Sequence, residues 1–337
     1  MRSLTRFLTV CGLMFFSGAV LAGTLGQVKK RGSLRCGVSQ GLPGFSSPDK
    51  KGKWRGIDVD ICHAVAAAVL GDSRKVKFVP LSAKERFTAL QSGEIDLLSR
   101  NTTWTLKRDG SLGLDFVGVT YFDGQGFMVR KNLGVKAAAD LDGATICTNL
   151  GTTTELNIAD YFRSKKMKYK LVTFEKTDEV LKAYDAGRCD AYSTDQSGLY
   201  AMRLLLKKPD DHIILSDIIS KEPLGPVVRH GDNEWADVVR WTLYALLSAE
   251  EFGITSKTVD KMVKSKNPAV SRMLGGEIGM GKAMGLRKDW AFQAIKQVGN
   301  YGEIFERNLG SKSPLNITRG QNRLWNKGGL HYPMPIR

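Results

Sequence analysis

The stretch Glu85–Asn101, ERFTALQSGEIDLLSRN, has a partner 94 residues further on, Glu179–Asp195, EVLKAYDAGRCDAYSTD. Laid over one another they are identical at Glu85/Glu179, Ala89/Ala183, Gly93/Gly187, Asp96/Asp190 and Ser99/Ser193. In each, an apolar-periodic helix is stopped by a glycine, which tolerates the left-handed backbone of a helix end, and a short apolar strand follows. One chain that writes the same helix–stop–strand unit twice predicts two similar lobes rather than one large sheet.

Reading outward, the first unit completes a β-α-β-α-β series. Leu34–Val38 reads as a strand, Ile57–Leu70 as a helix with Ile61, Ala64, Val65, Ala68 and Val69 on one face, and Lys75–Val79 as a second strand. Ser82-Ala83-Lys84-Glu85 has the spacing of a capping box opening the next helix, and Ile95–Ser99 is the third strand. The second unit repeats the plan with a strand at Ala144–Asn149, a capping-box spacing at Thr152–Glu155, a strand at Lys170–Phe174, a helix at Thr177–Ala186 and a strand at Cys189–Ser193. Such alternation specifies an α/β fold with mostly parallel central sheets, and ligands in open sheets of this kind sit beyond the carboxyl ends of the strands. Asn101 and Asp195 stand at equivalent strand exits, so two facing lobes bring them together across a cleft.

The chain of 337 residues carries a formal net charge of +16, which raises the question of nucleic acid or an anionic surface. Its N-terminus bears on that question. Arg2 and Arg6 precede the apolar run Phe7–Leu21, and Ala22 closes it with a small residue, the layout of a secretory signal peptide at residues 1–22. The run is short for a membrane span, which needs roughly 20 residues. Removal after Ala22 takes two arginines and leaves +14 of the +16. Export argues against nucleic acid as a partner and places the mature chain in an oxidising compartment, where Cys36, Cys62, Cys147 and Cys189 form an even set with three possible connectivities. Each lobe owns two, which favours Cys36 with Cys62 and Cys147 with Cys189. No Cys-x-x-Cys or Cys/His cluster suggests a metal, and no cofactor is expected. Gly276–Ala283 nearly spells a phosphate-binding loop, but Ala283 lacks the hydroxyl that such a loop offers Mg²⁺, and Val270–Leu274 is a poor strand to precede it.

The strand exits carry the chemistry. Arg108 offers a planar fork for a carboxylate and Thr103 a hydroxyl beside it. Leu150-Gly151-Thr152-Thr153-Thr154 opens a helix, whose free amides and dipole favour an anion. Asp195 can receive an ammonium. Together they fit a free α-amino acid gripped by its two constant charged groups. Taken singly each has a plain structural reading: a solvated arginine, a helix cap, a strand-end aspartate. Asp58 and Asp60, at the first turn of a helix, are accounted for by the helix dipole.

The strings SRNTTWT, GTTTEL and DAYSTDQSGLYA, with the long basic C-terminal part, resemble the amino-acid-binding proteins of ATP-driven importers, closest to the general L-amino-acid-binding type of solute-binding protein family 3. The resemblance implies a two-lobed fold of the periplasmic-binding-protein type II (Venus-flytrap) class with two hinge strands. Lobe 1 is expected at 23–126 plus 228–337, with a helical insert at about 248–285, and lobe 2 at 127–227; the crossing strands are expected near Gly124–Val129 and Lys221–Val228. It implies that Arg108 clamps the α-carboxylate with help from Thr103 and the backbone at Thr153 beside Thr152, that Asp195 holds the α-ammonium, and that Asn101 contributes its main-chain carbonyl. Membrane permease and ATPase subunits are the implied partners, and the periplasm the implied location. Ser39-Gln40-Gly41-Leu42 departs from narrower relatives, which have an aspartate and then an aromatic ring there; Leu42 cannot stack on a ligand and Ser39 carries no charge, which fits a broad side-chain range. Arg100 either faces this pocket, favouring acidic side chains, or is a surface residue. Two other classes remain open at this point: an exported enzyme on the same scaffold, such as a dehydratase or lyase, which needs a general acid or base aimed at a reacting centre, and a basic surface-interaction protein with salt-sensitive, non-saturable binding.

Overall fold

The computed structural model describes residues 23–276 and 280–337; the expected signal peptide at 1–22 lies outside the described residues. Twelve strands organise the site: β1 (Leu34–Ser39), β2 (Val76–Leu81), β3 (Leu97–Leu98), β4 (Leu114–Phe116), β5 (Tyr121–Asp123), β6 (Gln125–Arg130), β7 (Ala144–Asn149), β8 (Tyr169–Phe174), β9 (Ala191–Asp195), β10 (His212–Ile214), β11 (Glu222–Leu224) and β12 (Val227–Arg229). They form two five-stranded sheets, ordered β2-β1-β3-β12-β4 and β8-β7-β9-β6-β10. In each, the three strands of the βαβ series are parallel, and two strands from the crossing chain add antiparallel edges. The sheets are therefore mixed, because the chain must return through each lobe.

The two copies of the repeat do the same work in both lobes. Asp96 and Asp190 each accept, through a carboxylate oxygen, the amide of a first-strand residue, Arg35 at 2.7 Å and Thr145 at 2.8 Å. Each in turn donates its own amide to that residue's carbonyl. Gly93 and Gly187 both adopt φ +77°, the left-handed turn that releases the chain from helix into strand. The Ser82–Glu85 capping box forms in both directions, at 3.0 and 3.2 Å. The helix Ile57–Leu70 runs as the periodicity predicts, and a further helix spans Trp290–Val298.

The lobes meet at a small antiparallel ladder in which β5 pairs with β11, Asp123 opposite Glu222 and Tyr121 opposite Leu224. Gln125 and Gly126 already pair with β9 in the second sheet, while Val227 pairs with β3 and β4 in the first. The crossings thus fall at Asp123–Gln125 and Leu224–Val227, overlapping the segments expected near Gly124–Val129 and Lys221–Val228. A close approach at the second crossing requires glycine: a Cβ on Gly225 would lie 2.0 Å from the Gly118 carbonyl oxygen.

The chain after Arg229 returns to the first lobe. The helix Asn233–Glu251 packs on Ile57–Leu70 and Trp290–Val298. The expected insert from 248 therefore starts later, beyond Glu251, and consists of short helices at Val259–Met262, Pro268–Met273 and Met280–Ala283. Helix Pro268–Met273, not a strand, precedes the sequence that imitates a phosphate-binding motif, which removes that reading. The C-terminal segment also braces the hinge: Asn322 exchanges two hydrogen bonds with the backbone of Phe122, at 2.7 and 3.0 Å, and Tyr301 Oη donates to the Thr120 carbonyl.

Both expected disulfides are present, Cys36–Cys62 and Cys147–Cys189, with Cα separations of 6.3 and 5.8 Å. The second closes a loop of 42 residues in sequence and pins β7 to the start of β9. Replacing Cys147 and Cys189 by serine should cost about 3 kcal/mol, read as a lowered midpoint in chemical unfolding; an unchanged midpoint would remove the bridge from the stability account.

Candidate functional site

Between the carboxyl ends of the two sheets lies a gap of about 50 Å³, room for a few water molecules. Ser39, Leu42, Arg86, Arg100, Asn101 and Thr103 wall it from the first lobe; Thr152, Thr153, Thr154, Tyr192, Thr194 and Asp195 wall it from the second. The two repeat-equivalent positions, Asn101 and Asp195, meet there on opposite walls.

Local structure explains why these groups are presented. β3 ends at Leu98, and Asn101 takes a left-handed backbone, φ +29°, that turns the chain out of the sheet. Asp58 fixes that turn: one carboxylate oxygen accepts the Asn101 amide at 2.9 Å and the other the Ser99 hydroxyl at 3.4 Å. Burial pushes the Asp58 carboxyl up to about 7, against the lowering effects of those donors and of Arg100. The helix dipole is thus only part of why Asp58 is there. Asp60 does something else, accepting from Arg307 and Asn308 in the C-terminal part.

On the second lobe, the Thr152–Glu155 spacing closes on itself. Glu155 accepts the amides of Gly151 and Thr152, at 2.6 and 3.3 Å, and the Thr152 hydroxyl donates to the Asn149 carbonyl. Two of the amides expected to face an anion are therefore already engaged. The Thr153 hydroxyl points elsewhere, to Glu222 at 3.0 Å.

Three buried guanidiniums serve the first lobe. Arg108 donates to the Thr103 carbonyl at 2.9 Å and lies over the Phe87 ring, so it stands behind Thr103 rather than on the wall of the gap. Arg100 donates to the Leu81 carbonyl at 3.0 Å and is buried on the wall, which removes its surface reading. Burial lowers it to about 10. Arg86, which the sequence reading passed over as a helix residue, is buried on the same wall; it reaches the Thr102 hydroxyl at 3.3 Å, and its Nε has no hydrogen-bond partner. Burial lowers the Arg86 guanidinium strongly, and Arg108 and Arg100 add to the effect.

Three buried carboxylates share this region, Asp58, Asp195 and Glu222, and the half-buried Asp123 makes a fourth. Burial raises Asp195 well above the usual carboxylate range, with Asp123 and Glu222 reinforcing the shift, and lifts Asp123 to about 6. Among the described residues, none of the three guanidiniums forms an ion pair with any of the four carboxylates. Neutral hydroxyls, amides and carbonyls hold them apart.

A two-lobed α/β protein with opposed buried charges around a gap at the strand ends belongs to the class that captures small polar solutes. Residues 34–260 match the bacterial extracellular solute-binding proteins, family 3, and the chain belongs to that family. It is 62% identical over 323 residues to the general L-amino acid-binding periplasmic protein AapJ of Rhizobium johnstonii, covering 95% of each chain. It is 54% identical over 322 residues to the glutamate/glutamine/aspartate/asparagine-binding protein BztA of Rhodobacter capsulatus, again covering 95% of each. A solved periplasmic binding protein from Brucella ovis with glutathione bound superposes with a TM-score of 0.92 at 62% identity, over 94% of this chain and all of the other. The relatives are binding proteins, and this chain is a solute-binding protein rather than an enzyme.

The raised carboxyls have a thermodynamic signature. A carboxyl whose folded pKa lies above its unfolded value favours folding fully below that unfolded value, and the contribution is lost as pH rises through the folded pKa. For Asp123 and Asp58 the loss sets in above the ordinary carboxyl value of 3.8 and is complete by about pH 6 and 7 respectively. The melting temperature of the protein without added ligand should therefore fall between pH 5 and pH 8, by roughly 5 °C if a kcal/mol or two is involved. Asp58→Asn should flatten the slope. A melting temperature that rises over this window would contradict the assignment.

Proposed function

We propose that the chain is the periplasmic substrate-binding component of an ATP-driven importer, capturing free L-amino acids of broad side-chain range and delivering them to membrane permease and ATPase subunits. The carrying observation is that the first-lobe guanidiniums of Arg86 and Arg100 and the second-lobe carboxyl of Asp195 wall one gap without pairing with each other. A zwitterion supplies both missing partners. Its carboxylate takes the Arg108 fork, which turns from the Thr103 carbonyl to reach it, together with the Thr103 hydroxyl and the Thr153 amide; its ammonium takes Asp195. Export after cleavage near Ala22 delivers the chain to that compartment.

Leu42 and Ser39 supply an unselective wall, and Arg86 with Arg100 a cationic one. Acidic side chains then gain charge-assisted hydrogen bonds that neutral ones lack. The names of the relatives support both halves of this reading, one general for L-amino acids and one for acidic amino acids and their amides. Glutathione, held by the Brucella ovis protein, presents the same α-amino-acid head on its γ-glutamyl residue and competes for the same grip.

Isothermal calorimetry with amino acids and glutathione tests the reading. Arg108→Ala should weaken every ligand by about 100-fold, whereas Arg86→Gln should weaken L-glutamate and L-aspartate by about 10-fold and leave L-alanine nearly unchanged. Ligand recovered unchanged from the complex agrees with capture. Loss of only some ligands in Arg108→Ala would contradict a shared carboxylate clamp.

A further inference from the structure

Glu222 has no place in the grip just described, yet it is one of the most enclosed polar side chains in the molecule, 2% exposed on hinge strand β11. Its carboxylate accepts four hydrogen bonds. One oxygen takes the Thr103 hydroxyl at 2.6 Å and the Thr153 hydroxyl at 3.0 Å; the other takes Asn157 Nδ2 at 2.7 Å and the Ser220 hydroxyl at 2.6 Å. These donors come from different bodies. Thr103 lies in the first-lobe segment laid against β11, where Trp104 donates its amide to the Pro223 carbonyl and Gly225 its amide to the Thr102 carbonyl. Thr153 and Asn157 lie on the second-lobe helix Thr153–Ser164. A single oxygen thus joins the two threonines that face each other across the gap.

We propose that Glu222 is a positioning residue: its carboxylate ties the first lobe to the second at the hinge and orients the Thr103 and Thr153 hydroxyls, so that it sets how readily the protein closes on any amino acid. Three features carry this. Donors from both lobes converge on one carboxylate, which makes that contact sensitive to lobe separation. All four are neutral, so the charge of Glu222 is left to act on its surroundings, and it is the acidic group that acts most strongly on Arg108. The contact is made through threonines on the wall of the gap, whereas Glu222 itself is not on that wall. Its effect should fall on closure and leave side-chain selectivity untouched. Because the helix Thr153–Ser164 starts there, a carboxylate at this position is also favoured by the helix dipole.

The proposal rests on the amino-acid-binding reading for its affinity readout but not for its structural one. Small-angle scattering from the mature protein without added ligand should show a larger radius of gyration in Glu222→Ala than in the wild type. Calorimetry should show L-glutamate and L-alanine weakened by the same factor, about 10-fold, with their ratio preserved. Glu222→Gln keeps an oxygen for the two hydroxyls and should restore most of both losses, which general loosening of the fold would not permit. Asn157→Ala removes one second-lobe donor and should shift both quantities in the same direction by less; it stands in if Glu222→Ala fails to fold. Unchanged scattering and affinity would overturn the proposal. So would tighter binding, which would make Glu222 a competitor for the hydroxyls, or a loss confined to one amino acid. If wild type binds neither amino acid, the functional reading fails, while the scattering comparison still decides the hinge contact.

Discussion

Burial of unpaired charge is the constraint on which this molecule turns. Moving an ion from water into a protein interior costs several kcal/mol even after relaxation, and a fold normally recovers that by pairing opposite charges. Here Arg86, Arg100 and Arg108 are buried within the same region as Asp58, Asp195 and Glu222, beside the half-buried Asp123, yet they do not collapse onto one another. Each is held by neutral partners instead: Arg100 by the Leu81 carbonyl, Arg108 by that of Thr103, Asp58 by the Asn101 amide, Asp123 by Ser197 and the Gly124 amide. The result is a polarised gap whose unmet electrostatics match a small zwitterion. Leaving that match to a ligand gives closure its driving force, because the ligand alone interacts better with the closed arrangement than with an open one.

The architecture was legible because it is written twice. The same aspartate-to-amide contact recurs at Asp96 and Asp190, the same left-handed glycine at Gly93 and Gly187, and the repeat placed Asn101 opposite Asp195 before any coordinates. The disulfide pairing followed from which lobe owned which cysteine. What escaped were features whose cause is tertiary. Arg86 sits in a helix whose apolar periodicity conceals that its neighbours bury it. Glu222 lies in a three-residue strand with no motif of its own, and its four donors come from segments far apart in the chain. Asp58 looked complete as a helix-start acid, since no local pattern shows that the loop after β3 will return to it. The C-terminal brace at Asn322 was illegible for the same reason.

Breadth of ligand range follows from where specificity is spent. In the proposed reading the grip uses the two groups all α-amino acids share, and Leu42 and Ser39 place neither a ring nor a charge against the variable side chain. Arg86 and Arg100 then bias the site without closing it to neutral ligands. The segment beyond Asn233 adds its own restraint by packing on the first lobe and holding the hinge strand through Asn322 and Tyr301. The crossing strand is thus braced from outside the gap.

The central claim, that a ligand ammonium completes an under-compensated nest of buried carboxyls, is tested most directly by counting protons. Calorimetry of L-alanine binding at pH 6, repeated in buffers of different ionisation enthalpy, measures the protons exchanged on capture. Because Asp195 and Asp123 are held above the usual carboxylate range before the cation arrives, binding should release protons to the buffer. Release of similar size is expected with L-glutamate, since the ammonium end is common to both. Binding with no proton exchange, or with net uptake, would contradict the account.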